Sequence, residues 1–75
     1  MDVTIFTRPG CASCQRAKEF MREYQVVFAE RDVDSDPAAT QELVNRGCRM
    51  LPVILVDGQI AQGFNPQELG ELLQL

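Results

Sequence analysis

The sequence of 75 residues is 45% hydrophobic and 24% charged, which predicts one small globular domain over residues 1–75 and argues against a disordered chain. Eleven Asp and Glu outnumber seven Lys and Arg, and the net charge of −4 argues against charge-driven binding to nucleic acid. The absence of histidine excludes a Ser–His or Cys–His catalytic pair and any imidazole metal ligand.

The three cysteines are an odd number and cannot form a disulfide framework. No apolar run approaches the ~18 residues of a membrane span, and the sequence opens directly on a strand pattern rather than a signal-peptide core. We therefore expect a cytoplasmic monomer with no membrane or nucleic-acid partner. In that compartment a Cys-x-x-Cys pair is more often catalytic or metal-binding than structural.

Hydrophobic periodicity and turn residues predict seven elements in the order β-α-β-α-β-β-α. The predicted strands cover residues 2–7, a segment of 25–34 centred on 26–29, residues 51–56 and residues 59–62. The predicted helices cover residues 12–24 and 37–45, with a last helix beginning at residue 66. A parallel first crossover and an antiparallel final hairpin give a four-stranded mixed sheet flanked by three helices, which is an α/β thioredoxin-like fold.

Local signals mark several element ends. Asp36-Pro37 predicts a capped helix start. Asn65-Pro66, followed by Glu68, predicts a capping box at the start of the last helix. Asp57-Gly58 between two apolar runs predicts a type I′ hairpin turn.

The first helix has an apolar face at spacings of three and four, predicted to contain Ala17, Phe20, Met21 and Tyr24. Lys18 is assigned, with the other charged residues of this helix, to other faces. Glu30 and Asp32 are assigned to the outer face of the second strand.

Cys11 and Cys14 lie three residues apart, between the first strand and the first helix. Positions i and i+3 of a helix are neighbours on one face, so their Cα atoms fall within reach of a disulfide. Unpaired N–H groups and the helix dipole stabilise a thiolate at the helix N-terminus, whereas Cys14, one turn further along, is expected to be more buried. This asymmetry predicts a nucleophilic Cys11 and a resolving Cys14.

Other roles for the thiols remain open. A structural disulfide over so short a loop would remove little chain entropy. A metal or iron–sulfur module would need a ligand beyond Cys11, Cys14 and Cys48, from a second chain or a small thiol. A redox-silent interaction domain would keep the fold without cycling the disulfide. Cys48 is either a small, partly buried residue or a third redox-active thiol.

Residues close to the cysteines in sequence or in the expected fold also have two interpretations. Arg8 and Arg49 either stabilise a thiolate or hold an anionic group of a substrate, or they are solvated surface charges. Thr7 and Ser13 are expected to cap the helix rather than to bond a sulfur. Phe64 is either a contact for a protein partner or part of the core.

Three features occur together along nearly the whole chain: the motif Cys11-Ala-Ser-Cys14, Pro52 at the start of the third strand, and the turn Gly63-Phe64-Asn65-Pro66. In this combination the sequence resembles the glutaredoxin family. The resemblance implies that Cys11 attacks a substrate disulfide and that Cys14 resolves the mixed disulfide. It also implies that Pro52 follows a cis bond and faces the cysteines, and that the backbone of Leu51 pairs with an extended substrate segment.

The chain departs from typical glutaredoxins at three places. Ala12-Ser13 replaces Pro-Tyr between the cysteines, and Met50-Leu51 replaces Thr-Val before Pro52. The turn at residues 63–67 lacks the aspartate that grips glutathione, and Pro66 removes one N–H donor. This Gly-Phe-x-Pro turn is similar to that of NrdH-type redoxins, which are reduced by thioredoxin reductase and supply electrons to ribonucleotide reductase.

The resemblance therefore implies a thiol–disulfide oxidoreductase that reduces disulfides in protein substrates. Its electrons would come from glutathione or from an NADPH-dependent thioredoxin reductase, with no bound cofactor and no metal, since the electrons reside on the sulfurs. The candidate catalytic residues are Cys11 and Cys14. The candidate substrate-binding residues are Arg8, Leu51, Pro52, Gly63, Phe64 and Asn65.

Overall fold

The computed structural model describes residues 1–75 and contains the seven elements in the predicted order. They are β1 (Val3–Thr7), α1 (Ala12–Glu23), β2 (Ala29–Asp32), α2 (Pro37–Asn45), β3 (Val53–Val56), β4 (Gln59–Gln62) and α3 (Pro66–Leu72). None of the three helices has the length and apolar content of a membrane span.

The four strands form one mixed sheet in the order β2-β1-β3-β4. β1 is parallel to β2 and antiparallel to β3, and β3 is antiparallel to β4, so both pairings predicted from the connections are confirmed. The β3–β4 turn has φ of 49° at Asp57 and 86° at Gly58, and two positive values are what a type I′ turn requires.

Alternating side chains of the strands build a core on each face of the sheet. On one face, the sheet packs against α1 and α3 through Val3, Ile5, Ala17, Met21, Ile54, Val56, Ala61, Leu69 and Leu73. On the other face, it packs against α2 through Phe6, Ala39, Leu43, Cys48 and Val53. The central strands β1 and β3 are thus covered on both sides, and the loops at the end of β1 and the start of β3 are held by a rigid sheet.

The prediction that the second strand is centred on residues 26–29 is wrong, because β2 begins only at Ala29. The preceding residues complete the end of α1 instead. Gln25 adopts a positive φ of 60°, and the Val26 N–H donates to the Met21 carbonyl at 2.8 Å. Val27 is 88% exposed. Its β-branched side chain gave the segment a strand-like pattern, but no neighbouring strand pairs with it.

The predicted buried face of α1 is wrong at two positions. Tyr24 is 52% exposed, because it lies at the C-cap, and its ring centroid is 4.9 Å from that of Phe20 with the two planes tilted by 52°. Lys18, assigned to another face, is only 9% exposed. Its ammonium has a carboxylate partner in Glu30, which is exposed as predicted, with 37% of its side chain accessible, and lies on the α1 side of β2. A buried lysine requires such a partner.

The N-cap of α2 is formed as predicted by Asp36, whose Oδ1 accepts the Ala39 N–H at 3.1 Å. Arg31 donates to the other oxygen of the same carboxylate at 3.2 Å. The backbone N–H of Ala39 and the guanidinium of Arg31 hold the pKa of Asp36 below its ordinary 3.8. A carboxyl with a depressed pKa contributes stability above its unfolded-state value, and this contribution is lost as the pH falls through the folded-state value.

We therefore expect Asp36→Ala to lower the urea midpoint of unfolding at neutral pH, since the cap and the ion pair are both removed. The difference from the wild type should narrow below about pH 3.8, where the wild-type carboxyl takes up its proton. Urea titrations at several pH values measure it. If the difference in urea midpoint between Asp36→Ala and the wild type is the same at neutral and at strongly acidic pH, the assigned charge on Asp36 is contradicted.

Candidate functional site

The loop between β1 and α1 places Cys11 at the first turn of the helix. Gly10 takes a positive φ of 80°, and the Cys11 N–H donates to the Arg8 carbonyl at 3.3 Å, so the chain turns tightly into α1. Cys11 is itself the N-cap, and its Sγ accepts the Cys14 N–H at 3.1 Å. The prediction that Thr7 or Ser13 caps the helix is therefore wrong, because the sulfur takes that position.

Cys11 and Cys14 are joined by a disulfide, with their Cα atoms 5.2 Å apart. Cys11 is partly exposed, whereas Cys14 is 1% exposed beneath the helix. When the bond is reduced, the N–H donor and the helix N-terminus stabilise negative charge on Cys11. The structure thus confirms the predicted positions: one accessible sulfur at the helix end and one buried sulfur a turn later.

The segment before β3 contacts the Cys11–Cys14 loop through Ser13. The Ser13 hydroxyl lies 3.5 Å from Cys11 Sγ and donates to the Leu51 carbonyl at 3.5 Å. The Leu51–Pro52 peptide bond is cis, as the resemblance implied, and Pro52 is buried. The third strand begins at Val53, two residues later than predicted. The Leu51 N–H has no hydrogen-bond partner within the chain, so one backbone donor beside the cysteines is free.

Arg8 and Leu51 line a cavity of about 150 Å³ next to this loop, together with Arg49 and Cys48. The Arg8 Nε donates to Asp34 Oδ1 at 3.0 Å, and 57% of the Arg8 side chain is exposed. Its charge is therefore paired with a carboxylate on the surface, and the structure records no bond from it to a sulfur. Arg49 is exposed, and its backbone N–H is bonded to the side chain of Gln62.

The turn before α3 lies against the other side of Pro52. The Gly63 N–H donates to the Pro52 carbonyl at 2.7 Å. Asn65 Oδ1 accepts the backbone N–H groups of Gln67 and Glu68 at 3.0 and 3.2 Å, which confirms the predicted cap. No bond returns from the Glu68 side chain to the Asn65 N–H, so the reciprocal half of the predicted capping box is absent.

Phe64 is half-buried and packs against the core beneath α1 and α3. Its ring meets the Phe20 ring edge-on, with centroids 5.7 Å apart. Of its two interpretations, the packing favours the core.

Cys48 is a free thiol that is 8% exposed and packs in the core under α2. Its Sγ donates weakly to the Arg46 carbonyl at 3.9 Å. These contacts favour the small buried residue over the third redox-active thiol.

We expect Cys48→Ser to retain disulfide reductase activity close to that of the wild type, because the Cys11–Cys14 pair is complete without it. Turnover of a model disulfide substrate measures this, with thermal unfolding as the control for the buried hydroxyl. Loss of all turnover in a folded Cys48→Ser protein would show that Cys48 takes part in the reaction.

Nothing in the structure favours the alternative of a metal or cluster module. No group of three or more His, Cys, Asp or Glu side chains is placed to hold a metal ion within the chain. Tetrahedral sites for zinc or iron–sulfur clusters use four such ligands.

One polar cluster near the cysteines was missed by the sequence predictions. Lys18 Nζ and Thr7 Oγ1 both donate to Glu30 Oε2, at 2.9 and 2.8 Å. These two hydrogen bonds hold the pKa of the Glu30 carboxyl below its ordinary 4.5. The available signal was the spacing of Lys18 four residues after Cys14, on the helix face that Cys14 occupies.

The sequence and the fold both have close counterparts among known proteins. The glutaredoxin family model matches residues 3–61. The glutaredoxin-like protein NrdH of Lactococcus lactis subsp. cremoris is 31% identical over 70 residues, covering 93% of this chain and 97% of that protein. The residues that the family model matches include Cys11, Cys14 and Pro52.

Two solved structures extend the likeness to three dimensions. The glutaredoxin-like protein NrdH-redoxin from Escherichia coli has a TM-score of 0.90 at 33% identity, over 96% of this chain and 95% of that one. The thioredoxin-like protein BC3987 has a TM-score of 0.90 at 30% identity, over 95% and 99%. The predicted thioredoxin-like fold is thereby confirmed.

Proposed function

Because this chain belongs to the glutaredoxin family and is a thiol–disulfide oxidoreductase, we propose that it is an electron donor of the NrdH type, reduced by an NADPH-dependent thioredoxin reductase rather than by glutathione. Its catalytic residues are Cys11 and Cys14, and its substrates are disulfides in proteins. The choice of reductant rests on one observation: the Asn65 side chain already accepts the backbone N–H groups of Gln67 and Glu68 at the N-terminus of α3.

Exchange begins at the exposed sulfur. The Cys11 thiolate attacks one sulfur of the substrate disulfide, and the other substrate sulfur leaves as a thiolate that takes up a proton. Cys14 then attacks Cys11 Sγ, which forms the Cys11–Cys14 bond and releases the second substrate thiol. The substrate gains two electrons and the pair loses two. The disulfide seen in the structure is the product of this half of the cycle.

A free backbone donor beside the cysteines supports a protein substrate. The Leu51 N–H has no partner within the chain, and the Leu51 carbonyl accepts only the long bond from Ser13. An extended peptide lying along Leu51 would pair with this N–H as an added strand does. Such pairing would bring a substrate cysteine over Cys11 at the mouth of the loop.

The turn at residues 63–67 supports the choice of reductant. A glutathione pocket of the typical kind needs a carboxylate for the amine and free N–H groups for the carboxylate of the tripeptide. Here the Gln67 and Glu68 N–H groups are already bonded to Asn65 Oδ1, and Pro66 has no N–H. A glutathione carboxylate would have to displace the Asn65 cap, at a cost of roughly 1 kcal/mol. No aspartate lies in the turn to bind the amine.

The test follows NADPH oxidation with a model disulfide substrate in two coupled mixtures, one with thioredoxin reductase and one with glutathione and glutathione reductase. We expect turnover with thioredoxin reductase alone. Cys11→Ser protein in each mixture gives the background rate. Turnover that required glutathione would overturn the proposed reductant. Absence of NADPH oxidation in both mixtures would overturn the proposal that the protein is a general disulfide reductase.

The proposed partner is tested in the same way. Adding this protein and thioredoxin reductase to a ribonucleotide reductase should sustain deoxyribonucleotide formation from NADPH. The Cys11→Ser variant should not sustain it. Product formation no faster than with that variant would remove ribonucleotide reductase from the proposal while leaving the reductase chemistry in place.

A further inference from the structure

An ion pair with one buried member, Lys18, lies beside α1 on the same helix face as Cys14. Lys18 follows Cys14 by four residues and is 9% exposed, and lysine is rarely buried without a partner. Its Nζ donates to Glu30 Oε2 at 2.9 Å, and Thr7 Oγ1 donates to the same oxygen at 2.8 Å. Thr7 is the last residue of β1 and is also buried. The disulfide exchange proposed for Cys11 and Cys14 does not use this cluster.

Helix geometry directs the Lys18 side chain towards Cys14. Residues i and i+4 are neighbours on one helix face, roughly 5–6 Å apart at Cβ, and helical side chains lean towards the N-terminus of the helix. The carboxylate of Glu30, bonded to Thr7, fixes the ammonium near the end of β1 from which the loop to Cys11 departs. The charge of the buried Lys18 ammonium is screened less by water than a surface charge is.

We propose that Lys18 is a positioning residue for the resolving step: its ammonium, held by Glu30 and Thr7, favours the thiolate of Cys14, and the Glu30 carboxylate limits that effect. This inference rests on the proposed function, because it concerns the second half of the exchange. The Cys14 thiol releases its proton to solvent, and its sulfur electron pair attacks Cys11 Sγ. The Cys11–Cys14 bond forms, and the bond from Cys11 to the substrate sulfur breaks with its electrons on the leaving sulfur.

The other charged groups on the elements around Cys14 are exposed or paired elsewhere. They are Arg16, Glu19, Arg22 and Glu23 on α1, Arg8 with its partner Asp34, Arg31 and Asp32 on β2, Arg49 before β3, and Glu68 and Glu71 on α3. Of these, Arg22 also acts on the Glu30 carboxylate through its charge. Among the ion pairs of the protein, that of Lys18 has the most buried member, with 11% of the lysine side chain exposed. The hydrogen bonds from Lys18 and Thr7 lower the pKa of Glu30 below its ordinary 4.5, and its carboxylate is charged at neutral pH as that of any ordinary glutamate is.

Lys18 should favour ionisation of the Cys14 thiol, and Glu30 should disfavour it. Two residues with a merely structural role would not have opposite effects on this ionisation. The test uses reduced protein in the Cys48→Ser background and Ellman's reagent. Cys11 attacks the reagent and releases one thionitrobenzoate, and Cys14 then attacks Cys11 Sγ and releases the second. Stopped-flow absorbance separates the two releases, and the pH midpoint of the second reports ionisation of Cys14.

We expect Lys18→Met to raise the midpoint of the second release by about one pH unit, and Glu30→Gln to lower it by less. Lys18→Arg should stay near the wild type, and the midpoint of the first release should stay constant in all three variants. Any pattern other than opposite shifts for Lys18→Met and Glu30→Gln overturns the inference.

The design keeps this inference separate from the proposed function. Ellman's reagent requires no reductase, so the pH midpoints are measured whichever reductant serves the protein. Glu30 is partly exposed, and its replacement by Gln preserves hydrogen bonding, so that variant provides a second test if Lys18→Met unfolds. Lack of a second release in the wild type would contradict the role of Cys14, and with it this inference.

Discussion

Replacing Cys11 by Ser should reduce disulfide reductase turnover by at least about 1,000-fold. Cys11 is the accessible sulfur of the pair, and its Sγ receives the Cys14 N–H at the helix N-terminus, where a thiolate is stabilised. A serine hydroxyl is not ionised at neutral pH and forms no bond to sulfur that Cys14 could exchange. NADPH-coupled turnover with thioredoxin reductase measures the loss.

Cys48→Ser is the matched control, because it removes a thiol of the same chain that is outside the pair. It should turn over near the wild-type rate, and both variants should unfold near the wild-type temperature in their reduced forms. A folded Cys11→Ser protein within about tenfold of the wild-type rate would contradict the assignment of Cys11 as nucleophile.

Replacing Ile54 by Ala should cost about 2–5 kcal/mol of unfolding free energy. Ile54 is fully buried in the central strand β3, where it lies opposite Ile5 on β1 and Ala61 on β4. Truncation leaves a cavity that the two neighbouring strands hold open. Domains of this size have only modest total stability, so the variant should be partly unfolded near physiological temperature.

Ile60→Ala gives the matched control, since it makes the same truncation on the edge strand at a position that is 39% exposed. Its cost should be less than half that of Ile54→Ala, because less apolar surface returns to water. Urea unfolding of both variants in the oxidised form measures the difference. Equal losses at the two positions would contradict the placement of Ile54 at the centre of the sheet.

The parts of the fold that were predicted correctly are those specified by neighbouring residues. Asp36-Pro37 and Asn65-Pro66 each combine a capping side chain with a proline that needs no N–H, and both helices begin there. Asp57-Gly58 tolerates the positive φ values of its turn. The chain order of these elements then restricts the topology, since short connections join neighbouring elements.

The predictions failed where contacts between residues that are distant in sequence determine the local structure. The side chain of Lys18 is buried because Glu30, twelve residues away, supplies its counterion, and helix periodicity alone contains no information about that pairing. The segment before Ala29 has a strand-like composition, yet Gln25 takes a left-handed conformation that a non-glycine sequence does not announce.

The candidate site likewise has features that local sequence predicts and features that depend on tertiary contacts. The positions of Cys11 and Cys14 followed from their spacing at a helix start. The burial of Phe64 against Phe20 and the ion pair between Arg8 and Asp34 depend on how α1, α3 and the loop after β2 meet, which no local pattern specifies.

The most direct test of the exchange mechanism identifies the cysteine that is joined to the substrate. Cys14→Ser protein, reduced and then mixed with a disulfide-containing protein substrate, should accumulate a mixed disulfide because the resolving thiol is missing. Peptide mapping by mass spectrometry without reduction locates the bond. The mechanism predicts the adduct on Cys11. An adduct that instead forms on Cys14 in Cys11→Ser protein, with none in Cys14→Ser protein, would reverse the two roles and contradict it.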